Sequence, residues 1–113
     1  MNDCIFCKIV VGEIPSTKVY EDQWVVAFKD INPVAPVHIQ VIPKEHIKSV
    51  AEFTEDHINI AGRLLFAASE IGREHCGDNG FRVVTNIGDD GGQEVKHLHL
   101  HVIGGRKMTW PPG

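Results

Sequence analysis

The chain has 113 residues, 42% of them hydrophobic and 23% charged, with a formal net charge of −4. That length suits one domain, expected over 1–113, with one modest core, and the acidic balance argues against a general nucleic-acid binder, which would carry a basic face. No eighteen-residue apolar run is present, and the opening MNDCIFCKIV lacks a basic segment leading into an apolar one, so neither a membrane span nor a leader is expected and the cytoplasm is the expected compartment.

The three cysteines are Cys4 and Cys7, spaced C-x-x-C, and a solitary Cys76. With no leader they read as reduced thiols or metal ligands, not as a disulfide framework. KVYED and WVVAFKDI read as two short strands with a turn at Glu21-Asp22-Gln23. Pro33 and Pro36 break the chain, and HIQVIP, alternating and rich in β-branched residues, reads as a third strand closed by Pro43.

From Thr54 to Cys76 the spacing predicts an amphipathic helix. Ile58, Ala61, Leu65 and Ala68 set its rhythm, and Leu64, Ala67 and Ile71 widen the apolar stripe. Thr54 is the expected N-cap, with Glu55 and Asp56 in the first turn, and Gly77 is the expected stop. FRVVTNI reads as a fourth strand, GDDGGQ as a loop and HLHLHVIGG as a fifth strand. The tail MTWPPG is expected to be extended, because its prolines forbid a helix. Strands in series around one principal helix predict an α+β fold with an antiparallel sheet.

Alternation along a strand places His97, His99 and His101 on one face and Leu98, Leu100 and Val102 on the other. The apolar set should pack on the core, leaving three imidazoles in a row at roughly 7 Å spacing. Such a row suits either a metal site or nucleophilic catalysis, in which one ring attacks while its neighbours orient it or hold charge. A site built from all three histidines on one metal ion is disfavoured, because the outer two are roughly 13 Å apart along a strand. Gly88, Gly91 and Gly92, in the loop just before the row, let backbone approach a ligand closely, and successive amides there suit an anion. Asp89 and Asp90 are expected to face solvent. The remaining side chains have plainer expectations: Cys76 a core thiol, His57 and His75 helix-terminal surface groups, Trp24 packed on the sheet, and Arg63, Arg73 and Lys48 on solvated faces.

With HLHLH, IFCKIVVGEIP, FKDINPVAPVHIQVIPKEHI, NIGDDGGQEVKHLHLHVIGGR and WPPG, the chain resembles the histidine-triad superfamily over essentially its whole length. The last two segments look most like its Hint branch, the nucleoside phosphoramidases. The resemblance implies a five-stranded antiparallel sheet with one long and one or two short helices, paired into a homodimer with a continuous sheet. It implies hydrolysis of purine nucleoside 5′-phosphoramidates or acyl-nucleotides without an organic cofactor. Carried onto this sequence, His99 attacks the α-phosphorus, His101 contacts the phosphate, and His38 is a fourth histidine nearby. Asp30 takes the ribose hydroxyls and Ile31 lies along the base. Asn86, Gly92, Gln93 and Glu94 lie near the phosphate, and Trp110 shapes the pocket across the dimer. Many such proteins carry serine where Glu94 stands, which leaves the leaving group's proton donor open. A sister branch cleaves dinucleoside polyphosphates, and a nucleotide-binding scaffold is a further alternative. Some bacterial members hold zinc with the first triad histidine. Here that implies a structural zinc on Cys4, Cys7, His46 and His97, a common tetrahedral donor set.

Overall fold

A computed structural model describes residues 3–113. The single domain expected over 1–113 thus begins two residues before the described part. The elements run α1 (Ile5–Val10), β1 (Lys18–Glu21), β2 (Val25–Lys29), β3 (Val37–Pro43), α2 (Ile58–Cys76), β4 (Phe81–Val84) and β5 (Leu100–Gly104), with single 3₁₀ turns at Val50–Glu52, Glu55–His57 and Gly77–Asn79. The strands form one five-stranded sheet in the order β1-β2-β3-β5-β4, antiparallel throughout.

The sheet divides the apolar side chains between two layers. On one face Val25, Ala27, Ile39, Val41, Leu100 and Val102 meet the buried side of α2. Each fully buried Ile, Leu or Val there contributes about 1.5–3 kcal/mol. On the other face Val26, Phe28 and Ile42 pack against Phe6 and Ile9 of α1. Helix α1 was not expected from the sequence as a discrete element. Its first turn is tied by Cys4, whose sulfur accepts the Cys7 amide.

The long helix lies where the spacing put it, but its phase differs. Its buried residues are Ile60, Leu64, Ala67, Ala68, Ile71 and Gly72. Ile58 and Leu65, expected to lead the apolar stripe, are 69% and 59% exposed. Gly72 explains part of the shift, since the Phe81 ring lies where a side chain at that position would stand. Thr54 caps the 3₁₀ turn that feeds α2: its hydroxyl accepts the Asp56 amide, while His57 Nδ1 accepts the Thr54 amide at 2.9 Å. His57 is thus part of a capping box, beyond the plain surface role expected of it. Trp24 packs beside the core as expected, but Arg63 is not simply solvated, because its guanidinium lies 3.9 Å over the Trp24 ring. Cys76 is half-buried, with its sulfur where a side chain at Gly104 would go. No helix among the described residues is long and apolar enough to cross a membrane.

Candidate active site and metal cluster

The fifth strand starts later than expected. Only Leu100–Gly104 is paired, and the chain reaches it through a bend that ends at His97. The alternation still holds for the leucines, since Leu98, Leu100 and Val102 all enter the core. The histidines, however, do not form one row with one environment. His97 turns away into a cluster of its own, while the His99 and His101 rings meet edge to face with centroids 5.0 Å apart.

The first cluster joins Cys4, Cys7, His46 and His97, whose ligand atoms all lie within 4.8 Å of one another. His97 Nδ1 is 3.1 Å from His46 Nδ1, 3.2 Å from Cys4 Sγ and 3.5 Å from Cys7 Sγ. Zinc bonds of about 2.0–2.3 Å give tetrahedral edges of roughly 3.3–3.8 Å, close to this spacing. The tautomer fits as well. His97 Nε2–H donates to the Pro43 carbonyl at 2.9 Å, which leaves the Nδ1 lone pair directed at the other three donors. Two sulfurs and two ring nitrogens, with no fifth group in the cluster among the described residues, suit a closed structural zinc site.

The second group joins His99, His101 and His38. His99 Nδ1–H donates to the His97 carbonyl at 2.7 Å, so Nε2 carries the free lone pair. Burial pushes the His99 pKa below its usual value, against an opposing pull from that carbonyl and from Asp30. The ring therefore stays neutral and nucleophilic near pH 7. His38 Nδ1 accepts the Val34 amide at 3.2 Å, which places the ring proton on Nε2. That proton is given to His101 Nδ1 at 2.9 Å, leaving His101 an Nε2–H donor for a ligand. Burial, followed by the neighbouring His99 and His38, lowers the His101 pKa to about 4.

Asp30, His38 and His101 also lie close enough together to share a metal. The same tautomer argues against one there, because the Val34 amide occupies Nδ1 and so keeps a proton on the Nε2 that would have to bind it. The expectation that three alternating histidines would not share one ion agrees with this sorting.

Asp30, Asn86, Gly92, Glu94, His99 and His101 line one cavity of about 280 Å³, together with Phe6, Gln40 and Val95. Beside it an apolar basin of about 570 Å³ is lined by Ile31, Phe28, Ile9 and Ile14, with Phe6, Asp30, Gln40 and Val95 shared between the two. The Gln93 side chain, expected near the phosphate, is not among the groups that line the cavity. Gln93 is buried, its amide nitrogen donating to the Lys48 and Val95 carbonyls and its oxygen accepting the Gly88 amide. It is the lock of the glycine loop. Trp110, expected to act across a dimer, is 82% exposed in the single chain.

The loop also departs from the expected anion cradle. The Gly92 and Gln93 amides donate to the Asp89 and Gly88 carbonyls, so with Gly88 three amides are spent inside the turn. Gly91 and Gly92 are required by geometry: a side chain at Gly91 would collide with the Ile87 carbonyl, and Gly92 has φ +79. Asn86 holds the loop through the Gly91 carbonyl at 2.7 Å. Asp89 and Asp90 face solvent as expected. His75, expected on the surface, is half-buried and lines a small cavity with Asp30 and His38.

Sequence reasoning missed Phe6, Gln40 and Thr85. Phe6 stands edge-on to both His97 and His99, at 5.9 and 5.2 Å between centroids. The Thr85 hydroxyl donates to the His99 carbonyl at 2.8 Å. Helix and strand spacing carries no signal for contacts this far apart in the chain.

Residues 11–108 match the family model described as HIT domain. The chain belongs to the HIT domain family. It is 51% identical over 113 residues to the 14 kDa zinc-binding protein of Brassica juncea, covering 98% of this chain and all of that one. It is 50% identical over 111 residues to adenylylsulfatase HINT1 of Arabidopsis thaliana, covering 96% of this chain and 76% of that one. Among solved structures, a HIT family hydrolase from Legionella pneumophila Philadelphia 1 superposes with a TM-score of 0.95 at 46% identity, covering 98% of this chain and all of that one. A histidine triad protein from Clostridium difficile gives 0.91 at 51% identity, with 96% of each chain covered. The Hint-branch resemblance is borne out, and this HIT chain is a hydrolase.

Proposed function

We propose that this HIT hydrolase cleaves the P–N bond of purine nucleoside 5′-phosphoramidates, and the P–O bond of mixed anhydrides such as acyl-nucleotides, through a nucleotidyl-His99 intermediate. The observation that carries this reading is the His99 ring, its Nδ1 proton committed to the His97 carbonyl and its Nε2 left free in a cavity shared with His101. His99 Nε2 forms a bond to the α-phosphorus, the bond to the leaving group breaks, and an amine leaves with one proton taken from solvent water. His101 Nε2–H donates to a phosphoryl oxygen as charge builds there. Water then attacks the same phosphorus and returns one proton to solvent, the bond to His99 breaks with its electron pair going back to Nε2, and the nucleoside monophosphate departs. The base is assigned to the apolar basin beside Ile31, and the ribose hydroxyls to Asp30.

The Arabidopsis relative, named an adenylylsulfatase, supports a second substrate of the same chemistry, adenylyl sulfate. Glu94 favours it too, since sulfate leaves without needing a proton and an amine does not. The cluster on Cys4, Cys7, His46 and His97 is assigned one structural zinc, in keeping with the zinc-binding relatives. A homodimer is proposed across β4, an edge strand with an open ladder that carries the exposed Val83. There the partner's tail would bring its Trp110 toward the basin. The proposed compartment is the cytoplasm and the proposed partner a nucleotide, not a nucleic acid.

Purified protein would be given adenosine 5′-phosphoramidate, adenylyl sulfate and diadenosine tetraphosphate in parallel, with AMP release and intact mass followed. Release from the first two with a transient adduct of one adenylyl group supports the reading. Preference for the tetraphosphate moves the chain to the dinucleotide-cleaving branch, and binding without turnover makes it a scaffold. Light scattering settles the dimer.

A further inference from the structure

Gln40 lies in the middle of β3, directly opposite Phe28 on β2 and His101 on β5. With Phe6, Asp30 and Val95 it lines both the apolar basin and the histidine cavity. An apolar side chain is the ordinary occupant of such a central strand, and Ile42, two residues further on, is fully buried. The amide of Gln40 is used by halves. Nε2–H donates to Asp30 Oδ2 at 2.8 Å. Oε1 is the one buried side-chain polar atom among the described residues that has no partner.

A buried acceptor without a donor destabilises the fold, and a leucine would remove that cost. What leucine cannot supply is the donor to Asp30. The other carboxylate oxygen, Oδ1, is held by the Asn32 amide at 2.8 Å. His38 Nε2 lies 3.4 Å from Oδ2, but its single proton is directed to His101 at 2.9 Å. Gln40 is therefore the group that fixes the second oxygen and with it the plane of the carboxylate.

We infer that Gln40 is a positioning residue for sugar selection: by clamping Asp30 it makes the site demand an intact ribose diol. This rests on the reading that the nucleotide sugar sits on Asp30. A carboxylate fixed at both oxygens presents its remaining lone pairs in one geometry, which suits two vicinal hydroxyls. Released at Oδ2, it can turn and serve a single hydroxyl almost as well. The orphaned Oε1 is the stability cost of keeping that clamp.

The test measures AMP and 2′-deoxy-AMP affinity calorimetrically for wild type, Q40L, D30N and the double variant, with thermal unfolding of each. Wild type should prefer AMP by about 10-fold or more. Q40L should cut that preference at least about 5-fold, chiefly by weakening AMP, while unfolding at the same or a higher temperature. In the D30N background Q40L should change the preference no further, since both act through one group. If wild type binds the two nucleotides equally, the placement of the sugar on Asp30 fails, and this inference with it. If wild type discriminates and Q40L discriminates as strongly, the role of Gln40 is overturned while the placement stands. Equal weakening of both nucleotides by Q40L would mean a packing role only and would also overturn it. Q40M, of closer length and unbranched, replaces Q40L if the latter unfolds early.

Discussion

Two histidine clusters lie side by side in this protein, and they differ in which ring nitrogen the backbone takes. His97 gives its Nε2 proton to the Pro43 carbonyl and turns Nδ1 toward two cysteines and His46. His99, two residues on, gives its Nδ1 proton to the His97 carbonyl and keeps Nε2 for the cavity. One carbonyl acceptor each leaves Nδ1 free beside the cysteines in one case and Nε2 free in the cavity in the other, which suits the proposed metal ligand and the proposed nucleophile. Residue type alone assigns neither role. The second partner of each ring does.

The sharpest way to break this comparison is His99→Ala. Hydrolysis of adenosine 5′-phosphoramidate should fall by about 10³-fold or more, while zinc content and thermal unfolding stay near wild type. A variant that loses zinc as well would show that the clusters are one unit. Next comes Cys7→Ser, which should end stoichiometric zinc and lower Tm by about 10–20 °C, roughly 2–4 kcal/mol. Unchanged unfolding after metal loss would remove the structural role assigned to the first cluster.

A smaller effect is expected from acid. The His101 pKa is held at about 4 against an ordinary 6.5. Below pH 6.5 the unfolded chain takes up this proton and the native one does not, so stability rises with pH across this window. The contribution is full above about pH 6.5 and is lost as pH falls toward 4, to the extent of about 2 kcal/mol. Urea midpoints at pH 7 and 4.5, at fixed zinc, should draw closer together in His101→Gln than in wild type. Parallel losses would place the acid sensitivity elsewhere. The mildest change is Thr85→Val, which removes the hydroxyl that holds the His99 carbonyl. It should cost about 1 kcal/mol in the urea midpoint and leave metal content alone.

The five strands, the long helix and both clusters were legible because each rests on a local pattern or a family resemblance. Alternation exposes HLHLH, and a C-x-x-C beside distant histidines suggests a metal. Helix α1 was not legible: at six residues it is too short for a periodic signal, and it stands only because Phe6 and Ile9 find a sheet face to cover. The phase of α2 was ambiguous because Ile58, Leu65 and Phe66 are apolar yet exposed, which gives the helix two competing stripes. Gln93 resembled a phosphate ligand because sequence shows a side chain beside a glycine loop but not the Lys48 carbonyl that occupies it. Gln40 was passed over as an ordinary strand residue, since a hydrogen bond to Asp30 leaves no periodic trace.

The pairing of His101 with Gln40 and of Val102 with Ile39 fixes one frame along β5. Within that frame, chain length matters as much as chemistry. Adding or deleting a single residue between His99 and Val102 would exchange the two faces, sending an imidazole into the α2 core and a leucine into the cavity. A lineage carrying this fold can therefore accept many substitutions of the exposed Asp89 and Asp90 side chains, but no odd-numbered change of length in the strand beside them.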